Sequence, residues 1–155
     1  MARVLVARSD DSSRDGPVQL ADHRDVIEQS AFEQILDMDE EGDKDFSKSI
    51  VYGFFEQAET TFEKMERAIS SKDLRELSHL GHFLKGSSAT LGLTKVKDAC
   101  EKIQNFGARK DESGTADEPD DNQSLANIKL TLKRVKEDYK EVARILKRYY
   151  GDTDL

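Results

Sequence analysis

Between Leu125 and Tyr149 the apolar residues return three and four positions apart without a break: Leu125, Ile128, Leu132, Val135, Tyr139, Val142, Leu146 and Tyr149. That spacing predicts a helix over about 123–149 with one apolar seam along its length, and a seam must be covered. Helices of the same chain can cover it in a left-handed bundle. A second copy can also cover it as a coiled coil. The rest of the sequence favours the bundle, because the other amphipathic helices also need a partner.

The first is a short helix over Val26 to Asp37, broken by the acidic stretch Asp37 to Asp45. A second helix from Asp45 to Ser70 gathers Val51, Phe54, Phe55, Ala58, Phe62, Met65 and Ile69 on one arc. Ser71 is the expected N-cap of a third helix reaching Leu91, where Gly92 stops it. Thr94 is the expected cap of a fourth helix reaching Phe106, with Gly107 at its end. Residues 108–122 form an acidic loop without a core to offer. Residues 1–25 lack a period and are expected to be a flexible tail, 26–150 a helical domain, and 151–155 a C-terminal tail. The expected fold is all-α: a four-helix bundle, up-down-up-down, with an additional short N-terminal helix.

Charged and hydrophobic residues each make up 36% of the chain, and the net charge is −8. A negative chain is a poor counterion for phosphate backbones, which argues against nucleic-acid binding. No run approaches the roughly 18 apolar residues of a membrane span. The single cysteine, Cys100, cannot close an intramolecular disulfide, so the sequence is expected to be that of an intracellular protein.

The segment Leu74 to Leu91, LRELSHLGHFLKGSSATL, carries the chemistry. With Leu74 at zero and about 100° per residue, Leu77, Leu80, Leu84 and Leu91 fall between about 240° and 300°. His82 lands near 80°, almost opposite, and so points away from the core stripe. Ser78, Ala89, Gly86 and Lys85 share that outer face. A glycine inside a helix costs about 1 kcal/mol against alanine, so Gly86 asks for a reason, and access by a partner is one. An exposed imidazole is mostly neutral near pH 7 and offers a nucleophilic nitrogen. The ammonium of Lys85 one turn away would attract a phosphoryl group. The plain alternative is a solvated surface histidine. The joint presence of Lys85, Gly86, Ser87 and Ser88 argues against it.

His82-Phe83-Leu84-Lys85-Gly86-Ser87-Ser88-Ala89, preceded by Leu80-Gly81, resembles the signature of histidine-containing phosphotransfer domains. The nearer likeness is to the fungal phosphorelay intermediates of the yeast osmosensing pathway. It extends over DFSK (Asp45 to Lys48), QAETTFEKM (Gln57 to Met65), LGHFLKGSSATLGL (Leu80 to Leu93), CEKIQN (Cys100 to Asn105) and KRYY (Lys147 to Tyr150). The resemblance implies a phosphoryl carrier more than an autonomous enzyme. His82 would accept a phosphoryl group from the receiver aspartate of a hybrid sensor histidine kinase and pass it to the receiver of a response regulator. Lys85 would steady the group, Gly86 would admit the receiver, and Gln104 would hydrogen-bond the histidine ring. The domain would need no cofactor of its own, Mg²⁺ being supplied by the receiver. It also implies a monomer that works in cytoplasm and nucleus.

A histidine used by a partner needs an apolar rim. Phe46 and Ile50 lie about 90–130° from the centre of the second helix's core arc. On the first helix Ile27, Ala31, Ile35 and Met38 form one stripe, and Phe32 and Leu36 another. The resemblance places Ile35, Met38, Phe46 and Ile50 at the receiver-docking surface, and Ser78 and Ala89 flank the histidine.

Other signals fail on their own terms. His79, near 140°, lacks the Lys-Gly pair, and His23 sits in the tail. A metal site from His79 and His82 with Glu76 or Glu101 lacks the paired Glu-x-x-His repeats of bundle sites. Asp37 to Lys48 mimics a calcium loop but ends on Lys48 where a bidentate glutamate belongs. No phosphate-binding glycine loop is present, which excludes a self-contained kinase. Cys100 shares the fourth helix's apolar face with Val96 and Ile103 and is expected to be a buried thiol. A helical adaptor or coiled-coil protein without chemistry is the remaining rival.

Overall fold

The computed structural model describes residues 20–152. Most of the expected tails, residues 1–19 and 153–155, lies outside the described residues. A 3-10 turn at Leu20–His23 is followed by α1 (Gln29–Leu36), α2 (Asp45–Ser70), α3 (Leu74–Thr90), α4 (Thr94–Gly107) and α5 (Asp121–Tyr149). There are five α-helices and no strand among the described residues. The last four form the bundle: α2 lies beside α3 and α5, α4 lies between α3 and α5, and α1 rests against α3.

The seam of α5 is the core it was expected to be. Leu125, Ile128, Leu132, Val135, Tyr139, Val142 and Leu146 are all buried, facing Val51, Phe54, Phe55, Phe62 and Met65 of α2 and Leu77 and Leu84 of α3. Removing one such aliphatic side chain to alanine costs about 2–5 kcal/mol. Tyr139 carries its polar end inside by donating to Glu59 Oε2 at 2.7 Å, while its ring meets Phe62 edge-on at 5.5 Å between centroids.

The helix ends depart from expectation for identifiable reasons. Ser71 closes α2 instead of opening α3, its hydroxyl donating back to Ala68 C=O at 3.2 Å. The true cap is Asp73, whose carboxylate accepts the Glu76 N–H at 3.1 Å. Thr94 is the first residue of α4 and does not cap it. Its hydroxyl donates to Asp25 C=O at 3.3 Å, and its N–H goes to Val26 C=O. Glu28 N–H in turn donates to Gly92 C=O at 2.6 Å. The turn after α3, with Gly92 at φ +73°, therefore clasps residues 25–28. That uses the groups a helix from Val26 would need, so α1 starts at Gln29. Leu20 is buried and His23 C=O accepts from Val26 and Ile27 N–H, so the folded unit reaches back into the stretch expected to be tail. At the other end Asp120 caps Asn122 N–H at 3.0 Å, which starts α5 at Asp121, inside the expected loop.

α3 and α4 touch backbone to backbone. A Cβ on Gly81 would lie 2.8 Å from Cys100 O and from Gln104 N, and one on Gly107 would lie 2.5 Å from Ser78 N. Both helices approach too closely for a side chain at either point. This contact fixes how α3 is rotated, and with it where His82 points.

Candidate functional site

His82 lies in the middle of α3 and is exposed, as its helical phase requires once Leu77, Leu80 and Leu84 are buried. Its ring has no hydrogen-bond partner among the described residues. Lys85 stands one turn on, half-buried and without an ion-pair partner among the described residues. A Cβ on Gly86 would meet nothing within 4 Å, so this glycine is not required by packing inside the molecule. Ala89 is exposed one turn further. His82, Lys85, Gly86 and Ala89 thus form one open strip, as the helical phase predicts.

The hydroxyls of the motif are not part of that strip's chemistry. Ser88 is fully buried and donates to Leu84 C=O at 2.7 Å, Ser87 donates to Phe83 C=O at 3.5 Å, and Thr90 donates to Gly86 C=O at 3.2 Å. Each is satisfied by the preceding turn of its own helix. Ser78 also departs from expectation. It is half-buried and donates to the backbone oxygen of Gln104 at 3.0 Å, because the close approach at Gly81 and Gly107 brings α4 over that side of α3. Gln104 sits against α3 at Gly81, beside His82, but no hydrogen bond joins its amide to the ring. Its side-chain oxygen is buried without a partner.

The side chains expected to make an apolar rim differ in exposure. Met38 is 62% exposed and Phe46 46%. Ile50 is half-buried and lines a cleft of about 310 Å³ between α2 and α3, together with Gly53, Gln57, Ser87 and Thr90. Ile35 is a correction: at 7% exposed it packs in the core beside Phe32, because both stripes of α1 are covered and only Met38, beyond the helix end, is left outside. Phe83, 48% exposed beside His82, belongs to the rim and was missed. Its signal was available, since position 83 falls about 90° from the centre of the leucine arc.

The acidic stretch before α2 is capping machinery. Asp43 accepts Asp45 N–H at 2.8 Å, and Asp39 accepts both Ser47 N–H at 2.7 Å and Ser47 O–H at 2.6 Å. These carboxylates sit at the positive end of the α2 dipole. No group of three metal-ligating side chains occurs among the described residues. His79 is exposed beside Asp73, Arg75 and Glu76. Cys100 is fully buried, and burial pushes its thiol from 9.0 up to about 12, so it stays protonated and inert.

A family model described as Hpt domain matches residues 50–144. The chain is 44% identical over 132 residues to Multistep phosphorelay regulator 1 of Schizosaccharomyces pombe, a match covering 85% of this chain and 45% of that protein. It is 46% identical over 86 residues to Phosphorelay intermediate protein YPD1 of Saccharomyces cerevisiae, covering 55% of this chain and 51% of that one. The chain thus spans about half the length of the curated relatives it matches. Among solved structures it is similar to the Saccharomyces cerevisiae histidine phosphotransfer signaling protein Ypd1, crystallised with the receiver domain of its downstream response regulator Ssk1. The TM-score is 0.69 at 36% identity, over 81% of this chain and 95% of that one. With its single exposed motif histidine on the third helix of a helical bundle and a family match over more than half its length, the chain belongs to the Hpt domain family.

Proposed function

We propose that this chain is a phosphoryl carrier of a multistep phosphorelay, with His82 as the residue that is phosphorylated. The observation that carries the reading is the exposed, unbonded His82 ring on a strip where Lys85 is unpaired and Gly86 leaves open space. The similarity to a protein crystallised with a receiver domain supports a receiver as the partner.

In the proposed step a ring nitrogen of neutral His82 attacks phosphorus in line with the bond to the receiver's aspartate. The N–P bond forms as the P–O bond breaks, the aspartate leaves as a carboxylate, and the ring keeps its other N–H. Lys85 lies about 5–6 Å along the helix surface and places an ammonium where phosphoryl oxygens would sit. Mg²⁺ held by the receiver's acidic pocket would neutralise part of the charge in transit. Met38, Phe46, Ile50 and Phe83 would supply the apolar contact that holds the receiver, with Ala89 and Gly86 permitting its approach. The donor would be a hybrid sensor kinase and the acceptor a response regulator. A monomer working in cytoplasm and nucleus is part of the same reading, to be checked by sedimentation and by imaging a tagged chain.

The test is transfer from a phosphorylated receiver to wild type and to His82→Gln. Acid-labile, alkali-stable label on wild type alone is the expected result. Label persisting on the variant, at His79 for example, would overturn the assignment.

A further inference from the structure

Although the chain carries a net charge of −8, α5 holds eight Lys and Arg against four Asp and Glu. Six of those cations, Lys129, Lys133, Lys136, Lys140, Arg144 and Lys147, recur three to four apart and fall within about 80° of one another around the helix. The first four border a groove of about 480 Å³ between α5 and the last turn of α2. Ile69 and Leu132 form its apolar floor, and Glu66 stands on the α2 wall. Lys136 is engaged with Glu66 at 2.9 Å and Lys140 with Glu137 at 3.4 Å. Lys129 and Lys133 have no carboxylate partner among the described residues. The apolar side chain beside them, Leu130, is 54% exposed.

We propose that this α2–α5 groove docks an acidic segment of a protein partner that carries an aliphatic anchor. Its carboxylates complement Lys129 and Lys133, and its aliphatic side chain covers Ile69, beneath which Leu132 is already packed in the core. An amphipathic acidic helix laid along α5 meets both requirements at once. The apolar floor selects against a bare polyanion, which has nothing to place on it. The negative remainder of the chain repels a long polyanion such as a nucleic acid. A short acidic segment feels chiefly the local lysines, because charges beyond about 8–10 Å are screened.

The groove shares no residue with the strip around His82. Its α2 residues, Glu66 to Ser70, lie at the opposite end of that helix from Phe46 and Ile50. A receiver and the groove's occupant can therefore be held together, and the proposal stands independently of phosphotransfer.

The probe is a fluorescein-labelled helical peptide of glutamate with leucine at i, i+3 and i+7, titrated with the full chain and followed by anisotropy. Saturable binding is expected, weakened about tenfold by Lys129→Glu with Lys133→Glu, or about 1.4 kcal/mol. The charge-matched pair Lys64→Glu with Arg75→Glu, outside the groove, is expected to bind as wild type, and a peptide with serine for leucine more weakly. The milder Lys129→Gln with Lys133→Gln gives the same reading should the reversal disturb folding. Equal loss in the charge-matched pair, or equal binding of the serine peptide, would overturn the proposal by reducing it to bulk charge. Absence of binding would also overturn it. Tighter binding of single-stranded DNA or of phosphatidylserine vesicles, or a dimer abolished by the groove reversals, would do so by naming another occupant.

Discussion

Tyr150 donates a hydrogen bond of 2.6 Å to Ser47, 103 residues earlier in the chain, and Ser47 passes its own proton to Asp39 at 2.6 Å. Ser47 is fully buried, while Tyr150 and Asp39 at the two ends of this relay are half-buried. It joins the end of α5 to the first turn of α2 and to the loop after α1. Met38 and Phe46, the two most exposed members of the apolar rim on that side, are the immediate neighbours of Asp39 and Ser47. Tyr150 thus helps to hold Met38 and Phe46, members of the proposed docking surface, in place. Around it Tyr149 meets Phe32 edge-on at 6.2 Å between centroids, and Lys44 lies 4.4 Å over the Tyr149 ring.

Tyr150→Phe removes one hydrogen bond and leaves Ser47 bonded to Asp39. A loss of about 1 kcal/mol is expected, read as a fall of roughly 2–4 °C in Tm for a chain of this size. Ser47→Ala strands the buried end of the Asp39 carboxylate as well, and about 1–3 kcal/mol is expected. Both variants should weaken receiver binding beyond their effect on stability, as titration calorimetry would show. Unchanged affinity in Ser47→Ala would separate the relay from docking.

Three glycines, all in helices, should respond differently to alanine. At Gly81 and Gly107 the new Cβ would fall 2.8 Å and 2.5 Å from backbone atoms of the facing helix, and backbone cannot swing aside as a side-chain tip can. Overpacking of about 1–3 kcal/mol or more is expected in each, less the roughly 1 kcal/mol that alanine gains over glycine in a helix. Gly86→Ala meets open space and should stabilise by about 0.5–1 kcal/mol. Urea midpoints of the three variants test the set. Gly86→Gln should keep its stability yet slow phosphotransfer, since its side chain would fill the space beside His82.

Much of this architecture was legible beforehand, and the exceptions share a cause. The α5 seam, the bounds of α2 and the outward phase of His82 follow from periodicity, which a single helix carries in its own sequence. The closeness of α3 and α4 does not, because Gly81 acquires meaning only against Cys100 and Gln104, and Gly107 only against Leu74 and Ser78, each on the other helix. Ser78 was placed on the open strip for the same reason: its helical phase is right, but the neighbour that covers it is on α4. Ile35 was placed at the rim by the family resemblance, and the two apolar stripes of α1 do not show in sequence alone that both are covered. Asp73, by contrast, was a readable N-cap that Ser71 displaced.

Exposed and buried members of the docking surface should separate cleanly under alanine substitution. Phe83→Ala, Met38→Ala and Phe46→Ala remove exposed side chains, so their stability should stay within about 0.5 kcal/mol of wild type. Each should cost about tenfold or more in receiver affinity as an apolar anchor. Ile35→Ala empties a core position and should cost about 2–5 kcal/mol in stability, with a lesser effect on affinity. Affinity loss confined to Ile35→Ala would move the docking surface elsewhere.

Alkali should unfold this protein through a thiol and tyrosine hydroxyls packed within the bundle. Burial pushes the Cys100 thiol from 9.0 to about 12. It pushes the Tyr150 hydroxyl from 10.0 to about 12 against the pull of Ser47. Burial, then the bond to Asp152, raises Tyr52 to about 12 as well, and Tyr139 is raised by burial and by Glu59. In each case the folded chain holds its proton more tightly than the unfolded chain, so the folded state binds more protons above the unfolded value. The contribution is therefore full below about pH 9 and lost as pH rises towards 12. Because Cys100 has the lowest unfolded value, 9.0 against 10.0 for the tyrosines, it should lead the start of that fall, with the three tyrosines joining before pH 10. Urea midpoints at pH 8, 9, 10 and 11 are expected to decline distinctly less between pH 9 and pH 10 in Cys100→Ala than in wild type. Parallel declines in the two proteins would show that the thiol is not the group responsible.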